Sequence, residues 1–263
     1  MAGPGSRRIG REELREVLDV MESGSLFRYG SLDDPAFKHK VYTLEREFAA
    51  RCGVRHALAL SSGSGALIAA LKAIGLQAGD EVIVPAYTFV ATFSSVIHAG
   101  GVPVLAEIDE SLNLDPAEIG RRLTPRTRAV MPVHMLGNPC DMAAIMAEAG
   151  KHSLRVVEDA CQANGAAYRG RPVGTIGEIG AFARASRSAG ASSWASPAAW
   201  PSTCAVSCAR AHPTWTWWSA RTPTAACPST WSARWPARWC SIPSSIRTRP
   251  TKASTLRAPA AAG

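Results

Sequence analysis

The stretch His56-Ala57-Leu58-Ala59-Leu60-Ser61-Ser62-Gly63-Ser64-Gly65-Ala66-Leu67 joins two kinds of sequence grammar. A short apolar run with strand character gives way to small residues, and these open onto Ala66–Ile74, where the apolar spacing is helical. Short apolar runs recur at Glu81-Val82-Ile83-Val84, Val102-Pro103-Val104-Leu105-Ala106, Arg128-Ala129-Val130-Met131-Pro132-Val133 and Leu154-Arg155-Val156-Val157. Their starts lie 21 to 26 residues apart, the length of a strand followed by a helix. Helical stretches fill the intervals at Thr88–Ala99, Pro116–Leu123 and Met142–Ala149. The second of these opens on Asp115-Pro116-Ala117-Glu118, an N-cap with Pro at the first helical position and an acid at the third. Regular alternation of this kind implies an α/β domain with a mostly parallel sheet and flanking helices, whose ligands bind beyond the carboxyl ends of the strands.

Two strand ends carry chemistry. In Ser61-Ser62-Gly63-Ser64-Gly65, bulky side chains are absent, so backbone N–H groups and the positive end of the following helix can meet a phosphate, with the Ser hydroxyls adding hydrogen bonds. The turn lacks the third glycine of a dinucleotide fingerprint and the lysine of a P-loop, and by itself it is also ordinary loop grammar. The second end is Val156-Val157-Glu158-Asp159-Ala160-Cys161-Gln162. A carboxylate at the end of a buried strand is costly unless paired, and the cationic ring nitrogen of a cofactor is one suitable partner. The alternative is that Glu158 or Asp159 caps the next turn. His134, after Pro132-Val133, could line a site or serve as a satisfied structural residue. Arg11–Glu22 reads as an N-terminal helix with a solvated charged face.

The chain is 263 residues long with a formal net charge of +8, which suggests an anionic partner until the charges are located. Residues 1–178 hold all 21 acids and 19 bases, a balance of −2, and the remaining ten bases follow Glu178. At ordinary usage those last 85 residues would contain about ten acids. All eight Trp residues also fall after Gly190, and from Ala183 onward no strand or helix period is sustained. Three explanations remain open for this tail: a basic aromatic arm for single-stranded nucleic acid, a disordered tail, and a slip of reading frame near residue 183 in a G/C-rich gene. Cys204, Cys208 and His212 have a metal-like spacing but lack a fourth ligand. No apolar run approaches the ~20 residues of a membrane helix, and the charged start does not resemble a signal core, so a cytoplasmic protein with reduced thiols is expected.

Taken in order, the segments Leu26-Phe27-Arg28-Tyr29-Gly30, Ser61 to Leu67, Gly79-Asp80-Glu81-Val82-Ile83-Val84-Pro85, Tyr87-Thr88-Phe89-Val90-Ala91-Thr92, Pro132-Val133-His134, Glu158-Asp159-Ala160-Cys161-Gln162 and Gly177-Glu178-Ile179-Gly180-Ala181-Phe182 resemble the DegT/StrS family of pyridoxal-phosphate-dependent sugar aminotransferases. The resemblance implies the large domain of a fold-type-I transferase, in a homodimer with active sites shared across the interface. By the same resemblance, Ser64 and Gly65 meet the phosphate of pyridoxal 5'-phosphate. Phe89 stacks on its ring, Asp159 pairs with the ring nitrogen, and Gln162 lies near the ring hydroxyl. The implied reaction moves an amino group from glutamate or glutamine onto a keto sugar, often nucleotide-linked, or onto a keto-cyclitol.

The departure from the family comes after Phe182. There the family continues with Ser-Phe and places its Schiff-base lysine five residues beyond that Ser; this chain has Ala183, Arg184 and, at the lysine position, Ser188. No Lys occurs between Lys151 and Lys252, and the Gly-rich run expected next is absent. The expected organisation is therefore a partial cofactor-binding domain over 1–182 and a low-complexity, irregular or disordered tail over 183–263. As written the chain is expected to be inactive. A related branch that replaces the lysine with His and uses pyridoxamine phosphate to dehydrate sugars stays open, as does a non-catalytic binding protein with a basic tail; a nucleic-acid partner is not expected.

Overall fold

The structure is a computed structural model, and it describes residues 10–183 together with the backbone of Cys204–Cys208. Two helices, α1 (Arg11–Ser23) and α2 (Lys40–Cys52), precede the first strand, β1 (His56–Leu60). The chain then alternates through α3 (Gly63–Ala73), β2 (Glu81–Pro85), α4 (Ala91–His98), β3 (Val102–Ala106), α5 (Pro116–Arg121), β4 (Thr127–Val130), α6 (Met142–Lys151) and β5 (Arg155–Asp159). A small hairpin, β6 (Ala167–Tyr168) and β7 (Arg171–Pro172), leads to β8 (Ile179–Ala183), and β9 (Cys204–Cys208) follows.

The main sheet has seven strands in the order β1-β9-β8-β5-β4-β2-β3. Neighbours from β8 to β3 are parallel, while β9 runs antiparallel to both β1 and β8. Strand alternation sorts the core into two layers. Val82 and Val84 of β2 join Val157, Ala181 and the apolar sides of α3 and α4 in one cluster, whereas Ile83, Val130 and Val156 point the other way into Ile119, Met142 and Ile145 of α5 and α6. With both faces covered, the inner strands become continuous apolar runs, and β2 is buried along its whole length.

The expected strands appear within a few residues of their anticipated bounds, and Asp115 caps α5 by accepting a hydrogen bond from the N–H of Ala117 at 2.9 Å. Helix starts are less well anticipated. α3 begins at Gly63, three residues earlier than its apolar spacing suggests, because the Ser62 hydroxyl accepts from the N–H of Gly65 at 3.0 Å and closes a turn made of small residues. α2 is unforeseen, since only Ala49 and Cys52 of its 13 residues are buried. Within 183–263, Cys204–Cys208 form β9, and β8 reaches one residue past the expected boundary, to Ala183. Neither Cys nor Ser marks a strand, so β9 has little signal in sequence.

Candidate functional site

The carboxyl ends of β1, β2, β4 and β5 carry the chemistry-bearing residues. At β5, successive side chains point to opposite sides, and this separates the two neighbouring acids. Glu158 is fully buried; its Oε1 accepts from the N–H groups of Ile176 and Gly177, both at 2.6 Å, and its Oε2 from the N–H of Gly174 at 2.7 Å. The same Oε2 lies 3.1 Å from His134 Nε2. The N–H of Cys140 donates to His134 Nδ1 at 3.1 Å, so the ring proton sits on Nε2 and is donated to Glu158. Both residues are thereby satisfied inside the protein, and His134 takes the structural of its two readings. Glu158 caps the turn at 174–177 and has no open coordination to offer.

Asp159 differs. It is 5% exposed, yet its partners are neutral: the Thr92 hydroxyl donates to Oδ2 at 2.9 Å and the N–H of Cys161 to Oδ1 at 3.2 Å. Its main chain is tied to the segment that follows β4, through its N–H donating to Pro132 O at 2.9 Å and through the His134 N–H donating to its carbonyl at 3.1 Å. The Thr92 proton goes to the carboxylate, so the 2.7 Å contact between Thr92 and Thr88 has Thr88 as donor. A hydroxyl chain thus runs from Thr88, beside Phe89, to Asp159. Thr92 has no role in the sequence reading; its only signal there is a pair of Thr residues four apart at the start of a helix that follows a strand.

The other anticipated residues lie around this group. Phe89, 63% exposed, stands in the segment between β2 and α4 and leaves its ring face open. Gln162 is exposed, and its Oε1 accepts from the N–H of Leu136 at 2.9 Å, which leaves its amide NH2 as donor. Ser64 is exposed in the first turn of α3, whose N–H groups have no carbonyl one turn earlier to receive them. Gly65 has its N–H on Ser62, and a side chain there would bring a Cβ within 3.2 Å of the Ser62 hydroxyl. Glycine at this position keeps the cap closed. β1 and β8 both run antiparallel to β9, and β8 runs parallel to β5, so β1 and β5 point the same way and the N-terminus of α3 lies at the same end of the sheet as Asp159. Ser188 and His212 lie outside the described residues, as do the side chains of Cys204 and Cys208.

A doubly covered parallel sheet, a helix N-terminus at the end of β1 and a buried carboxylate with neutral partners at the end of β5 define the cofactor-binding domain of a fold-type-I pyridoxal-phosphate enzyme. The chain belongs to the DegT/DnrJ/EryC1/StrS aminotransferase family, which it matches over residues 7–183. It is 46% identical over 175 residues to the spore coat polysaccharide biosynthesis protein SpsC of Bacillus subtilis, covering 66% of this chain and 43% of that protein. It is also 46% identical over 176 residues to GDP-perosamine synthase of Caulobacter vibrioides, covering 66% and 45%. The aminotransferase of Psychrobacter cryohalolentis has a solved structure that matches with a TM-score of 0.65 and 35% identity, over 77% of this chain and 48% of that one. The chain spans less than half the length of the curated relatives it matches. The cofactor of this family is pyridoxal 5'-phosphate.

Proposed function

We propose that the described domain is the cofactor-binding part of an aminotransferase that transfers an amino group from glutamate or glutamine to a keto sugar, nucleotide-linked or not, or to a keto-cyclitol, and that the chain as written holds the cofactor without catalysing the transfer. The observation that carries this reading is Asp159, a buried carboxylate at a strand end whose hydrogen-bond donors among the described residues are neutral. Such a group favours a cationic N–H partner, and a protonated pyridine nitrogen supplies one. When bound, the cofactor provides an electron sink for the carbanion formed as the amino donor loses its proton.

This chain's own residues would bind and orient. The first turn of α3, with Ser64 and Gly65, receives the phosphate; Phe89 covers one ring face; Asp159 holds the proton on the ring nitrogen; the Gln162 amide donates toward the ring hydroxyl. No lysine between Lys151 and Lys252 is present to hold the cofactor covalently or to move a proton between the two reacting carbons. The resemblances to GDP-perosamine synthase and to a scyllo-inosose aminotransferase support a keto sugar or a keto-cyclitol as acceptor. Exposed apolar residues on α1 and just after it, among them Leu14, Leu18, Met21, Leu26 and Phe27, support pairing with a second copy of the chain. Cytoplasmic residence goes with this reading. The end of the family match at 183, between the last acid, Glu178, and the first Trp, Trp194, supports a slip of reading frame near that point.

Titration of the full chain with pyridoxal phosphate, followed by the cofactor's absorbance, tests the reading. Saturable binding that is lost on dialysis, leaves no borohydride-reducible adduct at 183–190, and weakens at least tenfold in Asp159→Asn (about 1.4 kcal/mol) is expected. Binding indifferent to that substitution, or a reducible adduct in that segment, would overturn it.

A further inference from the structure

Among the described residues, β1 and the rest of the sheet meet only through β9. Among the described strands β1 is an outer one whose single neighbour is β9, and β9 joins it to β8 and so to β5. β1 ends in the turn that starts α3, and β5 ends at Asp159. Strand β9, which lies beyond the family match, therefore links the two strands whose ends form the two halves of the candidate site.

The direction of each backbone group can be worked out from both sides. On β1, the N–H of Ala59 donates to Glu45 Oε1 at 2.8 Å and its carbonyl accepts from Arg28 Nη1 at 2.9 Å, while Arg28 and Glu45 are themselves paired. Ala59 thus faces outward, and alternation turns Leu58 and Leu60 toward β9. On β8, the carbonyl of Ala181 accepts from the N–H of Ala160 on the β5 side, so Gly180 and Phe182 face β9. The register sets Leu58 against Val206, and Gly180 and Phe182 against Ser207 and Ala205. On β9 itself Val206 then faces β1, while Ala205 and Ser207 face β8. The two derivations agree, and every main-chain group assigned here has a partner.

We infer that β9 is a positioning strand for the cofactor site: by backbone pairing it holds the phosphate-receiving turn at Ser62–Gly65 in place relative to Asp159. This rests on the reading above of what those two ends bind. Its chemistry is that of the main chain, so it tolerates any side-chain sequence that keeps its N–H groups, and a segment outside the family pattern can supply it. Without it, β1 and β8 would each present an unpaired edge, and the turn would be tied to the Asp159 strand through the packing of α3 alone.

Val206→Pro removes a donor that faces β1 while leaving the bonds of Ala205 and Ser207 to β8; Val206→Thr keeps the donor. In the full chain, Val206→Pro is expected to raise hydrogen exchange at Leu58, Leu60 and Gly65 at least tenfold with Val157 and Asp159 unchanged, and Val206→Thr to leave all of them as before. The affinity ratio of pyridoxal phosphate to pyridoxal, which reports the phosphate turn, should fall toward one in the proline variant while pyridoxal itself binds within about threefold of the parent. Unaltered exchange at Gly65 with an unaltered ratio in a folded Val206→Pro chain overturns the inference. If that variant does not fold, the parent chain decides: protection at Leu58 and Leu60 equal to that of β2 supports the pairing, and exchange at the rate of unpaired amides refutes it. If the parent binds neither ligand, the cofactor reading fails, and the exchange experiment still judges β9.

Discussion

Glu158 and Asp159 are consecutive carboxylates with opposite duties, and single substitutions should separate them. Glu158→Ala would leave three backbone N–H groups and the His134 ring unpaired in a dry interior, so a loss of roughly 3 kcal/mol or more is expected, read as a lower urea midpoint. A change below about 1 kcal/mol would mean that water enters the 174–177 turn. Thr92→Val removes one hydroxyl donor from Asp159 and leaves Thr88 without an acceptor. It should weaken pyridoxal phosphate binding several-fold, by about 1 kcal/mol, with recovery in Thr92→Ser; equal binding by the Val and Ser variants would remove Thr92 from the site. The sequence exposes Asp159, because an acid closing an apolar run is conspicuous. It hides the division of labour with Glu158, which depends on which side of the strand each faces, and it hides Thr92, whose hydroxyl matters only once a helix and a strand 67 residues apart come together.

At the level of elements, local grammar and tertiary contact contribute differently. α5 and α3 start where their caps dictate, and Ser62→Ala or Asp115→Ala should each cost about 1 kcal/mol in thermal or chemical unfolding. The first residue of β2 is fixed differently. Glu81 accepts from Thr124 and pairs with Arg126, and these partners hold its carboxyl below the ordinary value of 4.5. A folded-state pKa below the unfolded one means that this contribution is complete above about pH 4.5 and is lost as pH falls through the lower folded value. Acid unfolding of Glu81→Gln should therefore show a shallower slope in that range than the parent, and an unchanged slope would assign the acid sensitivity elsewhere. Elements that lean on partners were the ones the sequence concealed. α2 buries only two residues, and β9 exists through its two neighbours. β8 passes so close to the 174 turn that a Cβ on Gly180 would fall 2.0 Å from the carbonyl of Gly174, a constraint that no periodicity records.

On the scale of the molecule, the charge balance and the sheet bear on the same place in the chain. Residues up to 178 balance at −2 and read as a folded α/β domain; the +10 that follows has no acid to offset it. The family match ends at 183, at the last residue of β8, and the next described strand, β9, joins β8 by backbone pairing. A slipped frame and an ordered strand are compatible, since ladder hydrogen bonds do not require particular side chains and a sheet with two facing edges will accept an extended segment with free N–H groups. The frame proposal then makes a definite demand on the gene. One of the two other frames from about codon 183 should encode a Ser-Phe continuation, a lysine or histidine five residues beyond that Ser, and a Gly-rich run ahead of a strand that occupies the place of β9. A lysine there assigns the transferase branch and a histidine the dehydratase branch. If neither frame carries such a run, the tail is the gene's own product, and the absence of lysine at position 188 belongs to the protein itself.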